Sequence, residues 1–169
     1  MEINYQFRER FSVIHTSNRW DKTKTLADNE IDIDNSWWIT VPDDADTVIL
    51  NAARDIEDYF FASMGLSLKL SRYSECPKDV KRIAYSVNSD LKKNTYKLTV
   101  TESSVELCGC DSRMAAQAGY FFEDLMNLRE APFLEKVSVT RESLFNPRMV
   151  ECTATLSSQV LPPFPHTLR

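Results

Sequence analysis

Glycine is nearly absent from this chain: its 169 residues hold three, at positions 65, 109 and 119. The common phosphate-binding loops need several glycines within a few residues, which excludes nucleotide binding of that kind. Histidine is as scarce, with His15 and His166 far apart. A nucleophile paired with a histidine base has little to be built from, and no Ser sits in a Gly-x-Ser-x-Gly elbow. No apolar run approaches the roughly 20 residues that span a bilayer, and the opening MEINYQFRERF carries charge where a secretory leader needs its apolar stretch. No membrane partner is expected. Basic charge is also short, with 20 Lys plus Arg against 25 Asp plus Glu and a formal charge of -5. That balance offers no footprint for a phosphate backbone, so nucleic acid is not expected as a partner. The four cysteines, Cys76, Cys108, Cys110 and Cys152, are too few and too scattered for a secreted disulfide scaffold. They read as free thiols and favour the cytoplasm.

What is present is the composition of an ordinary globular domain, 43% apolar and 27% charged. The first forty residues alternate, in Tyr5 and Phe7, Phe11 and Val13, Ile31 and Ile33, then Trp37, Ile39 and Val41, which predicts half-buried strands. The stretch VPDDADTVILNAARDIEDYFFASMG then changes period. Ile49, Ala52, Ala53, Ile56 and Phe60 recur at three and four, which predicts an amphipathic helix capped by Asp43, Asp44 or Asp46 and ended by Gly65. Period two returns in Leu66, Leu68 and Leu70, in Ile83, Tyr85 and Val87, in Tyr96, Leu98 and Val100, and in Val105 and Leu107. The short links between these runs predict antiparallel neighbours. From Ser112, helical spacing resumes in Met114, Ala118, Phe121, Phe122, Leu125 and Leu128, with Gly119 leaving room for close packing and Pro132 closing the helix. Val137 and Val139 predict one more strand. The expected fold is α+β, a mostly antiparallel mixed sheet with two helices packed on one face. Residues 1–150 form the single domain, and residues 151–169, with three prolines that cannot donate to a ladder, read as a linker or disordered tail.

Few residues invite chemistry. Cys108-Gly109-Cys110 lacks both a second ligand cluster for zinc and the Cys-x-x-Cys spacing of a redox pair. It reads as a strand end, with Cys108 a small hydrophobe, Gly109 the turn, and Asp111 or Ser112 the helix cap. The acidic string ADNEIDIDN has neither the glycine turn nor the terminal bidentate Glu of an EF-hand loop, and reads as a charged edge strand. No metal, cofactor or catalytic residue is expected. Trp37 and Trp38 are adjacent, so a strand sends their rings to opposite faces. The exposed one is a candidate for a contact with sugar or protein, or for packing against another domain.

The order of these elements carries a resemblance. The helix AARDIEDYFFASMG, the strand IAYSV, the hairpin YKLTVTESSVELCGCD and a following helix rich in Ala, Gly and aromatics resemble the small α+β domain that precedes the catalytic barrel in family 20 β-N-acetylhexosaminidases. The N-terminal domain of α-glucuronidases is similar. The resemblance covers about residues 41–139. It departs from the pattern at Thr95, where such domains usually carry Gly, and at Ser112-Arg113-Met114-Ala115, where the second helix usually starts on glycines.

The resemblance implies a non-catalytic accessory role, buttressing a catalytic barrel of the same polypeptide. The chemistry of family 20 lies in an adjacent Asp-Glu pair on that barrel, and this sequence has no Asp-Glu dipeptide. A barrel takes about 250 residues, more than the whole chain. The run LFNPRMVE resembles the lead into a barrel strand, so Phe145 and Met149, with one of the two tryptophans, are the expected contacts with a barrel or ligand. A free-standing carbohydrate- or protein-binding module is the alternative. An independent hydrolase is disfavoured because no paired carboxylates share a face.

Overall fold

The computed structural model describes residues 15–144. The alternating run before His15, the 151–169 tail, Cys152, Phe145 and Met149 lie outside the described residues.

Helix α1 spans Thr47–Tyr59. Of the three acids ahead of it, Asp46 is the cap: its carboxylate accepts from the N–H groups of Val48 and Ile49, each at 3.0 Å. One wide turn of π-helix, Phe60–Met64, extends it. Gly65, at φ 67°, then ends it in the left-handed conformation that glycine adopts without steric cost. Helix α2 spans Ser112–Arg129 and is capped by Asp111, which accepts from Met114 N–H at 2.8 Å. It stops at Glu130, whose φ of 57° breaks the helix two residues before Pro132.

The strands are β1 (Glu30–Asp32), β2 (Trp38–Val41), β3 (Lys69–Arg72), β4 (Arg82–Val87), β5 (Thr95–Val100), β6 (Ser104–Gly109), β7 (Phe133–Glu135) and β8 (Ser138–Glu142). Strands β1 and β7 pair antiparallel in a small sheet of their own. The other six form one sheet in the order β3-β2-β4-β6-β5-β8. Strand β5 runs antiparallel to β6 and β8. Parallel pairing joins β2 to β3, β2 to β4, and β4 to β6.

The α+β class and the pair of helices on one face are as expected, and the sheet is mixed. The rule that a short link joins antiparallel neighbours holds for the β5–β6 hairpin and fails for two other links. Strand β2 lies between β3 and β4, and β6 lies between β4 and β5. The reason is reach: a link such as residues 88–94 spans up to about 20 Å when extended, ample to step over one strand at a spacing of about 4.8 Å.

Period two sorts the sheet's two faces. Ile39, Ile83, Tyr85, Leu98, Val105 and Leu107 are buried against the helices, while Ala84, Glu106 and Cys108 alternate with them toward the opposite face. Helix α1 packs on β2 and β3, and α2 on β4, β5 and β6. Two glycines set how closely α2 approaches. A Cβ on Gly119 would lie 2.3 Å from Tyr85 Oη, and one on Gly109 would lie 2.0 Å from the backbone nitrogen of Ala115. Gly109 is therefore the last residue of β6, required for close approach of the α2 N-terminus, and does not supply the turn expected of it. Phe60 and Phe122 are fully buried as expected, whereas Phe121 and Leu125 are half-buried at the margin of the core.

Candidate interdomain surface

The two sequence candidates within the described region part company. Trp37 is 0% exposed and belongs to the core, where its indole N–H has no hydrogen-bond partner among the described residues. Trp38 is half-buried, with the ammonium of Lys69 5.1 Å from its ring centroid. The structure therefore removes Trp37 from the surface. It does not reach Phe145 and Met149.

The outer side of the helix layer is richer than the sequence suggested. The helices lie side by side and parallel, tied near both ends. Near the N-termini, the Ser112 hydroxyl and the α1 backbone bond the Asp46 carboxylate and hold it below the usual carboxylate range. Near the C-termini, Tyr59 Oη donates to Asn127 Oδ1 at 3.1 Å. Between the ties the two helices pack directly, with Ile56 Cδ1 3.2 Å from where a Cβ on Gly119 would lie. On the α1 side, Val48, Asp55 and Tyr59 share a stripe by helical spacing, and on the α2 side Ala116, Tyr120, Glu123 and Asn127 do the same. His15 sits against α1, its Nε2 3.0 Å from Asp55 Oδ1 and its ring edge-to-face with Tyr59.

Glu123 lies on this α2 stripe and is 8% exposed. Its Oε1 has no hydrogen-bond partner among the described residues. Burial first, then the negative charges of Asp55 and Asp124, push its pKa up to about 8. Burial also raises the phenols of Tyr59 and Tyr85, with Glu123 adding to both shifts. Sequence pattern alone did not single out Glu123, although a signal existed: it lies one turn beyond Gly119 on the stripe turned toward α1.

A second feature lies on the other flank of α2. Phe121, Leu125 and Leu128 face Val137 and Val139 across a largely apolar groove of about 440 Å³. One end is closed by Arg129, whose guanidinium pairs with Glu30 at 2.6 Å, and at Phe121 the Arg141 guanidinium stacks 4.1 Å from the ring centroid. Glu30, read as part of a charged edge strand, is therefore an ion-pair partner of α2. Leu128 is 83% exposed, and Phe61, on the wide turn after α1, is 71% exposed.

The sheet's opposite face is polar. Tyr73 lies over it, its hydroxyl donating to the Tyr85 carbonyl, beside Arg82, Ser86 and Glu106. Burial pushes the Tyr73 phenol up to about 12. Cys108 is on this face, opposite Ser86 and Lys97, and Cys76, Cys108 and Cys110 are free thiols. No helix among the described residues is long and apolar enough to cross a membrane.

No family model and no curated protein matches the sequence. Solved structures do match. The glycoside hydrolase of the structure titled "Structure of CpGH84D" aligns with a TM-score of 0.53 at 11% identity, covering 70% of this chain and 22% of that one. A family 138 glycoside hydrolase targeting pectin rhamnogalacturonan II aligns at 0.49 and 11% identity, covering 62% and 15%. The family 20 exo-β-N-acetylglucosaminidase from Vibrio harveyi aligns at 0.43 and 17% identity, covering 70% and 17%. The chain spans less than a quarter of the length of each. At these identities the likeness is one of fold, and the CpGH84D alignment carries it: this chain has the fold of one small α+β part of a much longer glycoside hydrolase.

Proposed function

We propose that the chain is a non-catalytic accessory domain of a carbohydrate-active enzyme, β-N-acetylhexosaminidase-like or α-glucuronidase-like, that buttresses a catalytic barrel through its helix layer. The observation that carries this reading is the fold shared with about a fifth of the CpGH84D chain. The apolar groove beside α2, with Leu128 exposed at its edge, supports it, since a contiguous apolar surface is what an interaction site presents. In this reading Phe145 and Met149 extend the contact where the chain leaves β8.

The experiment begins with the gene sequence that follows Val150. A downstream region with the alternating strand and helix pattern of a barrel is expected. That region, produced separately, should form a one-to-one complex with residues 1–150 in analytical ultracentrifugation, and turnover of aryl glycosides should follow the barrel alone. Absence of a barrel region, or turnover by the domain that survives repurification, would overturn the reading.

A second reading, a free-standing carbohydrate- or protein-binding module, is favoured by one observation. Trp38, the sequence candidate left at the surface, is half-buried with a cation at hand. If this reading holds, Trp38→Ala abolishes glycan or protein capture and leaves the fold intact.

A further inference from the structure

We propose that the recess beside Tyr73, on the sheet face turned away from the helices, binds an uncharged pyranose unit of a glycan. The inference goes beyond both readings above: it uses the face that the helix layer leaves open, and Trp38 is not among the residues that line the recess.

The recess follows from side-chain lengths on two neighbouring strands. Strands β4 and β6 pair with Arg82 opposite Ser104, Ala84 opposite Glu106 and Ser86 opposite Cys108, and these positions alternate with the residues buried against the helices. Ala84, Ser86 and Ser104 are short and make a floor, while Arg82, Glu106 and Tyr73 are long and stand around it, bounding about 450 Å³. That is room for a small ligand. Tyr73 is held at both ends. Its hydroxyl donates to the Tyr85 carbonyl, and the next residue, Ser74, donates from its N–H and Oγ to Asp43 Oδ1 at 3.0 and 2.7 Å. The residue is nevertheless 39% exposed. A ring fixed in advance and still open to solvent loses little freedom when a ligand covers it.

The groups around the ring match vicinal hydroxyls. Arg82 and Glu106 are exposed, and among the described residues neither side chain forms an ion pair or hydrogen bond, nor does the Ser86 hydroxyl. A guanidinium offers only donors and a carboxylate only acceptors, so together they serve groups that both donate and accept, as sugar hydroxyls do. Their charges cancel, so the recess favours neither a cation nor an anion. An aromatic wall beside polar groups suits a pyranose, which presents an apolar C–H face and a hydroxylated edge.

The test uses the full 169-residue chain with nitrogen-15 labelling, following the backbone N–H groups of residues 82–86 and 104–106 by NMR. The probes are the methyl pyranosides of glucose, galactose, mannose and N-acetylglucosamine, with methyl glucuronide and glycerol as comparisons. At least one neutral glycoside should give a saturable shift on these residues, and glycerol none. Arg82→Ala and Glu106→Ala should each weaken binding about tenfold, the lower end of what a hydrogen bond to a charged group contributes. Both side chains are exposed, so the unfolding curves should match the parent's. Ala84→Leu, which fills the floor, should abolish the response. No saturable response to any neutral glycoside, or one that survives both alanine variants, overturns the proposal. So does methyl glucuronide binding more tightly than every neutral glycoside, since the ligand would then be an anion. Binding that is lost in Trp38→Ala and kept in the recess variants also overturns it, in favour of a site at Trp38. A missing barrel region would defeat the accessory-domain reading and leave glycoside binding untouched, so the two failures are distinguishable.

Discussion

Replacing Glu123 by Gln tests the buried acid directly. The carboxyl releases its proton near pH 8 in the folded chain and near 4.5 when unfolded. Between those values the folded state holds a proton that the unfolded state has lost, so stability falls as pH rises through the interval. Each pH unit of that interval costs about 1.4 kcal/mol, and the span from 4.5 to about 8 therefore caps the loss at about 5 kcal/mol. Relaxation and water penetration around a buried carboxyl reduce the figure, so about 2 to 4 kcal/mol is expected. Gln has the same shape and no charge at any pH. The variant should match the parent near pH 4 and exceed it by that amount at pH 8.5, in guanidinium unfolding followed by tryptophan fluorescence. Asp32 and Glu57 are also raised by burial, so the parent's own slope is a sum. The difference between the two proteins isolates Glu123. A difference that stays constant from pH 4 to 8.5, or a Gln variant that is weaker at high pH, would refute the argument.

Three further outcomes follow from the packing. Phe122→Ala removes a fully buried ring and should cost about 3 to 5 kcal/mol, whereas Phe121→Ala, half-buried at the groove, should cost less than half as much in the same unfolding assay. Gly119→Ala should cost about 1 to 3 kcal/mol by forcing a methyl group against Tyr85 Oη, and a Tyr85→Phe background should recover part of that loss. Gly109→Ala should be the more damaging, since the obstacle is backbone and cannot rotate away. The isolated chain should self-associate through the groove beside α2, and Leu128→Glu should restore a monomer in sedimentation velocity. A parent chain that stays monomeric at high concentration would count against an unsatisfied apolar surface there.

Much of the fold was legible because it rests on local rules. The stripe Ile49, Ala52, Ala53, Ile56 gave α1 its buried face, Asp46 and Asp111 capped where Asx residues precede a periodic run, and Gly65 ended α1 in the conformation that glycine permits. The order of strands was not legible, because a link fixes how far the chain can travel and does not say which slot in the sheet is vacant. Strand β4 lies between β2 and β6 with α1 and α2 packed over the same face, an arrangement no short window of sequence contains. The same limit hid Gly109, whose need for a bare Cα comes from an α2 residue six positions on and not from its own turn.

The surface was harder still, and Trp37 and Glu123 show why. Adjacent tryptophans predict one ring inward and one outward, and Trp37 is the inward one, but alternation does not reveal which until the strand's buried face is known. Glu123 is the reverse case: a charged residue in a helix reads as solvated, yet its place on the stripe facing α1 buries it as soon as the two helices meet. Natural cores rarely leave a buried carboxyl oxygen without a partner. The helix layer holds one such oxygen, with Tyr120 exposed on the same stripe and Leu128 at an apolar groove on the other flank, and none of these is visible in a short window of sequence. Stability alone would favour Gln or Leu at position 123.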